Sequence, residues 1–250
     1  MPEIASTRIH PIAALRAVRA LVRNREDTRQ VFLLMEALRG KTTLRQLARF
    51  ASTESGRAML AERRSLLAAL TDRHALAALP AGSLGRAYHE FMIEEDLSAE
   101  GLVAQSQIPR PAMSDDLTWF RERSREMHDL LHIVAGYGRD PLGEACLVAF
   151  SYAQTGQLGF AVIALFAARR ISQARPGQPI RHAIFEGYRC GRRAGWLIGA
   201  DWEALLNRPV EAIREQYAVR PAYYYPKIIA AICSSGEGTA ETRPATAMPA

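Results

Sequence analysis

Apolar residues recur three and four positions apart along nearly the whole chain, and few stretches alternate with a period of two, so the pattern predicts an all-α protein. The periodic segments place helices at 12–22, 28–39, 43–51, 55–69, 84–95, 115–135, 141–154, 158–174, 178–198 and 209–217. Breaks fall at Gly40, Pro80-Ala81-Gly82, 106–113 with its two prolines, Pro176-Gly177 and Arg208-Pro209. Thr43 and Gln46 stand at capping-box spacing. In 12–22, Ile12, Leu15, Val18 and Val22 line one face while Arg16, Arg19 and Arg23 occupy another. That predicts a surface helix laying its apolar stripe on the core; an anionic membrane is the other use of such a helix.

From Ala145 to Ala168 no side chain is charged, a length that approaches the ~20 residues of a bilayer span. Gln154, Thr155, Gly156, Gln157 and Gly159 interrupt it, so two buried helices joined by a turn are expected in place of a span. Their Ala, Leu and Phe faces, over 145–174, are the expected lining of an apolar groove for a lipid chain. Together these elements predict one compact multi-helix bundle over 1–233. An N-terminal helical half reaches to about 110, a half carrying the chemistry starts near 114, and 234–250 forms a disordered tail rich in Ser, Gly, Thr, Pro and Ala.

Composition changes this picture little. The chain is 48% hydrophobic and 23% charged, as expected of a globular protein. A formal charge of +6 favours an anionic partner. The basic residues are almost all Arg, only Lys41 and Lys227 being lysines. They are scattered, and no zinc-finger, RNP or basic-zipper pattern accompanies them, which argues against nucleic acid. Cys146, Cys190 and Cys233 lack any C-x-x-C spacing and read as small buried hydrophobes in a reducing compartment. The start of the chain has no apolar signal-peptide core, and the arginine-rich stretch 8–25 reads as an ordinary first helix in place of a transit peptide.

Candidate chemistry concentrates at His128-Asp129-Leu-Leu-His132, because histidines at i and i+4 share one helical face and can chelate one ion. Both border the buried face set by Leu117, Phe120, Leu131 and Ala135, and Asp129 sits at its edge. Gly136 suits a helix C-cap, and Asp140-Pro141 an N-cap followed by proline at the first helical position. So short a connection joins antiparallel neighbours, bringing Glu144 to the level of His132. Such donors suit Zn2+, Fe2+, Mn2+ or Co2+. The motif is not H-E-x-x-H, and the missing general-base Glu argues against peptide hydrolysis. A hydrolase of the adjacent His-Asp type needs further ligands, which His10, His74, His89 and His182 do not supply by spacing.

His128-Asp129-Leu-Leu-His132 followed by eleven residues and Glu144 resembles the H-D-x-x-H-x11-E motif of the Coq-four family of ubiquinone-biosynthesis proteins. Asp27 to Phe32, Leu79-Pro-Ala-Gly-Ser-Leu-Gly-Arg86-Ala-Tyr88 and Gly191 to Leu206 are similar to the same family, so the likeness covers roughly 27–217. It implies an all-α fold holding Zn2+ through His128, Asp129, His132 and Glu144, and only the resemblance raises Asp129 to full membership. It also implies peripheral association with the inner, cytoplasmic face of a bacterial membrane, or the matrix side if the source is eukaryotic. The implied activity is removal of the C1 carboxylate of a polyprenyl-hydroxybenzoate precursor, leaving a hydroxyl or a hydrogen. The alternative is a non-catalytic, lipid-binding scaffold with a structural metal that organises the other coenzyme Q enzymes. Partners would be the polyprenylated precursor, a membrane surface, those enzymes and a second copy of the chain, with no nucleic acid. Arg86, Tyr137 and Arg139 are the candidates for recognising the anionic headgroup.

Overall fold

A computed structural model describes residues 8–23, 28–95 and 114–234, and among these there is no strand, only one isolated bridge between Ser83 and Pro209. The helices are α1 (Pro11–Arg23), α2 (Thr28–Ala37), α3 (Thr42–Ser52), α4 (Glu54–Glu62), α5 (Leu66–Thr71), α6 (Arg73–Ala77), α7 (Leu84–Glu94) and α8 (Asp115–Glu126). They continue as α9 (His128–Ala135), α10 (Pro141–Thr155), α11 (Leu158–Ala174), α12 (Ile180–Arg193), α13 (Trp202–Leu205), α14 (Val210–Gln216) and α15 (Tyr224–Ser234), with a single 3-10 turn at Leu197–Gly199. The expected boundary at 106–113 and the tail beyond Ser234 lie outside the described residues.

The centre is α10, which buries Leu142, Ala145, Cys146, Leu147, Ala149, Phe150, Ser151 and Gln154 and packs along α11 and α12. It crosses α12 closely because Gly187 and Gly191 face Cys146 and Phe150; a Cβ on either glycine would lie 2.5 Å from the facing carbonyl oxygen. Gln154 secures the crossing, donating to the Gly191 carbonyl at 2.7 Å and accepting the Leu197 N–H at 2.9 Å. The main core joins α10 and α12 to α7, α8, α9 and α15, with Trp202, Tyr88, Phe50 and Phe150 its largest enclosed side chains. A smaller core of Ala14, Ala17, Leu21, Leu34 and Ala37 lies where α1 and α2 meet α11.

Several elements differ from expectation, each for a local reason. The helix at 55–69 breaks at Arg63, which takes a left-handed φ of 51°, and Ser65 caps α5 by accepting the Ala68 N–H. The helix at 115–135 divides at Met127, just after Ser124 donates back to the Phe120 carbonyl, a bond that bends helices. The helix at 178–198 stops at Arg193, since Gly195 and Leu197 give their N–H groups to Tyr217 and Gln154. No capping box forms at Thr43: the cap of α3 is Lys41, and the Gln46 amide instead reaches the Thr155 carbonyl and the Trp196 indole. Helices α6, α13 and α15 are additions, too short or too mixed in composition for periodicity to reveal.

Two expectations about burial are corrected. Of the uncharged run, α10 is buried as expected, but α11 buries only Gly159 and Ala164 and leaves Leu165 73% exposed. In α1 the stripe faces the wrong way: Ala14, Ala17 and Leu21 are buried, Val18 packs in partly, and Ile12 and Leu15 are exposed. Small alanines let α1 approach α2 closely, which decides the packed face over hydrophobicity alone. The three cysteines are free, and only Cys146 is buried, Cys233 being exposed. No described helix is long and apolar enough to cross a membrane.

Candidate metal centre

The loop 136–140 turns α9 back against α10, as the spacing predicts. Gly136 takes a φ of 74° and gives its N–H to the His132 carbonyl at 2.9 Å. Asp140 caps α10 by accepting from Leu142 and Gly143 at 3.0 and 3.1 Å, and Pro141 fills the first helical position. Gly143 admits the loop at close range, for a Cβ there would meet the Gly138 carbonyl.

This hairpin brings Glu144 between the histidines, 3.6 Å from His128 Nε2 and 3.4 Å from His132 Nε2. The donor atoms of His128, Asp129 and His132 lie within 4.8 Å of one another. His132 is fully enclosed, and its Nδ1 donates to the Tyr137 carbonyl at 2.9 Å, which leaves Nε2 as the bare nitrogen. That nitrogen is buried without a hydrogen bond, an arrangement that costs free energy unless a ligand engages it. His128 and Glu144 are half-buried and open on one side, 40% and 37% exposed.

Burial works against charge on Glu144, but His128 and His132 outweigh it and hold the carboxyl well below the usual carboxylate range. Burial also opposes charge on His128, and Glu144, joined by Asp129, reverses this and raises its affinity for a proton. Helix α7 covers the other side: Phe91 stacks on His132 at 5.9 Å between ring centroids. Tyr88 is enclosed with no hydrogen bond to its hydroxyl, and burial and then the Asp129 charge raise its pKa.

Among the three headgroup candidates, Arg139 belongs to this cluster, its guanidinium 4.0 Å from both Glu144 and Glu95. Tyr137 contributes its backbone carbonyl; its phenol ring is buried edge-on against Tyr225. Arg86 is engaged elsewhere, with Glu90 and the Ala77 carbonyl.

Two braces come from distant sequence and carried no local signal. Arg214 of α14 donates to the Val134 and Ile133 carbonyls, each at 2.9 Å, closing the C-terminal end of α9. Tyr225 of α15 donates to Asp140 and accepts the Gly138 N–H at 2.9 Å, so one phenol ties both sides of the loop. Tyr225→Phe is expected to cost about 1–2 kcal/mol, roughly 2–8 °C in melting temperature, with the helices retained. Thermal melts followed by circular dichroism measure this; an unchanged melting temperature would mean that the loop holds without the brace.

The grouped His128, Asp129 and His132, with Glu144 beside both imidazoles, are donor types suited to a first-row divalent cation.

Comparisons with known proteins give the chain's family. The family model described as coenzyme Q (ubiquinone) biosynthesis protein Coq4 matches residues 4–222, which include all four donors. The chain is 29% identical over 191 residues to the bovine mitochondrial ubiquinone biosynthesis protein COQ4 homolog, covering 74% of this chain and 70% of that one. Its identity to the mitochondrial coq-4 protein of Neurospora crassa is 29% over 173 residues, covering 68% and 48%. A crystal structure of a protein assigned to ubiquinone biosynthesis in Nostoc punctiforme is similar with a TM-score of 0.63 at 25% identity, covering 85% of this chain and all of that one. The chain belongs to the coenzyme Q (ubiquinone) biosynthesis protein Coq4 family.

Proposed function

We propose that the protein is a metal-dependent enzyme of ubiquinone biosynthesis that removes the C1 carboxylate of a polyprenyl-hydroxybenzoate precursor as CO2, with a proton taking its place or, where dioxygen serves as the two-electron oxidant, a hydroxyl. The observation that carries this reading is His132, whose bare, buried Nε2 sits beside Glu144 and His128 with no hydrogen bond of its own. His128, His132 and Glu144 would hold the ion, with Asp129 as a fourth ligand or as the group that orients His128. The resemblance favours Zn2+, and the same donors suit Fe2+, Mn2+ or Co2+. Once bound, such an ion supplies Lewis acidity toward a carboxylate or phenolate oxygen.

The chain's own groups prepare that site. The Tyr137 carbonyl fixes the His132 ring with Nε2 directed inward. Arg139 places a cation beside Glu144, where an anionic headgroup would otherwise meet only carboxylates. Phe91 covers the imidazole and keeps water from that side. In the substrate, a phenolate para to C1 enriches that carbon in electrons, so C1 can bond to a proton or to an electrophilic oxygen from dioxygen, and the C1–carboxylate electron pair returns to the ring as CO2 leaves. The uncovered apolar side of α11 would receive the prenyl tail.

Purified protein is expected to contain a stoichiometric divalent ion by elemental analysis and to convert a prenylated hydroxybenzoate to its decarboxylated product. Treatment with a chelator should abolish the conversion. Protein that retains both its ion and a co-purified lipid, yet forms no product, would remove the catalytic reading in favour of the scaffold.

A further inference from the structure

Helix α1 turns its large aliphatic side chains outward. Ile9, Ile12 and Leu15 are 46%, 69% and 51% exposed, while the opposite side, Ala14, Ala17 and Leu21, packs in the smaller core. At about 100° per residue, Ile12, Leu15, Arg16 and Arg19 fall within an arc of roughly 100°, and exposed Ile9 lies two residues ahead of the helix. Both arginines are exposed and have no ion-pair partner among the described residues. Residues 8–23 contain no acidic side chain at all. The outward face is thus aliphatic at its start and basic further on, with no acidic side chain within 8–23 to neutralise it.

We propose that this face of α1 lies in the surface of an anionic phospholipid bilayer, with Ile9, Ile12 and Leu15 in the acyl boundary and Arg16 and Arg19 on headgroup phosphates. Thirteen residues make a helix about 20 Å long, too short to cross the hydrocarbon but suited to lying in its plane. Charge selects the occupant: a second copy of a chain of net charge +6 would bring more arginine to this face, whereas anionic lipid neutralises it. The proposal is independent of the metal chemistry and shares with the proposed function only the premise that a prenylated precursor resides in a membrane.

Flotation of the full chain with vesicles of phosphatidylcholine, alone or mixed with phosphatidylglycerol, tests it. The protein should float with the mixed vesicles and much less with phosphatidylcholine alone. The double variant Ile12→Ser, Leu15→Ser should bind the mixed vesicles at least roughly tenfold more weakly. Arg16→Gln, Arg19→Gln should lose several-fold and show a shallower salt dependence. All these positions are exposed, so circular dichroism and metal content should match the parent protein, and turnover of a detergent-dispersed substrate should persist. Vesicle binding unaffected by the aliphatic pair would overturn the proposal. So would light scattering showing a dimer that the aliphatic variant converts to monomer while lipid binding stays the same.

Discussion

Glu144→Ala is expected to leave the helices intact and to weaken metal binding by at least ~100-fold, with turnover falling in proportion. Glu144 is the carboxylate that meets both imidazoles, at 3.6 and 3.4 Å, so its loss leaves two neutral nitrogens and at most the Asp129 carboxylate to balance a divalent charge. Its side chain is partly open to solvent and caps nothing, since the cap of α10 is Asp140. Chelator competition measures the affinity, circular dichroism the fold, and product formation the turnover. A folded Glu144→Ala protein that keeps more than about a tenth of its turnover would show that the ion is not catalytic.

Gly187→Ala is expected to have the largest effect on stability, about 3 kcal/mol, or roughly 6–12 °C in melting temperature. The new Cβ would sit 2.5 Å from the Cys146 backbone carbonyl, and a backbone oxygen cannot swing aside as a side chain does. Helices α10 and α12 must then separate, although Gly191 repeats the same close approach one turn on. Because α10 carries Glu144 two residues before Cys146, metal affinity should fall along with stability. Exposed Arg192, a neighbour on the same helix, serves as the control: Arg192→Ala should change the melting temperature little. Equal melting temperatures for the two variants would mean that the crossing has room to adjust.

The hairpin of the candidate site was legible because all its determinants are local. His128, His132, Gly136, Asp140, Pro141 and Glu144 fall within about five helical turns, and helical period, cap chemistry and loop length together place them on one level. Tyr225 and Arg214 were not legible, for they meet the hairpin across gaps of 80 to 87 residues and look like ordinary residues of short helices. Helix α1 was misread for a different reason. Periodicity weighs how apolar a side chain is, whereas close helix contact rewards how small it is. The same preference appears at Gly159, where a Cβ would press on the Met35 sulfur. The break at Met127 was hidden because its side chain continues the apolar pattern while the backbone leaves it.

The Tyr225 brace has a consequence for the order of events during synthesis. A ribosome releases both histidines and Glu144 well before the phenol that cross-links their loop, 85 residues beyond Asp140. Until α15 docks, the hairpin has its candidate ligands but lacks the Tyr225 brace, so a cation arriving early would meet a loop still free to rearrange. If the hairpin holds a cation as proposed, tight loading would be a late, post-translational step, and a nascent chain stalled before Tyr225 would exchange its metal faster than the finished protein.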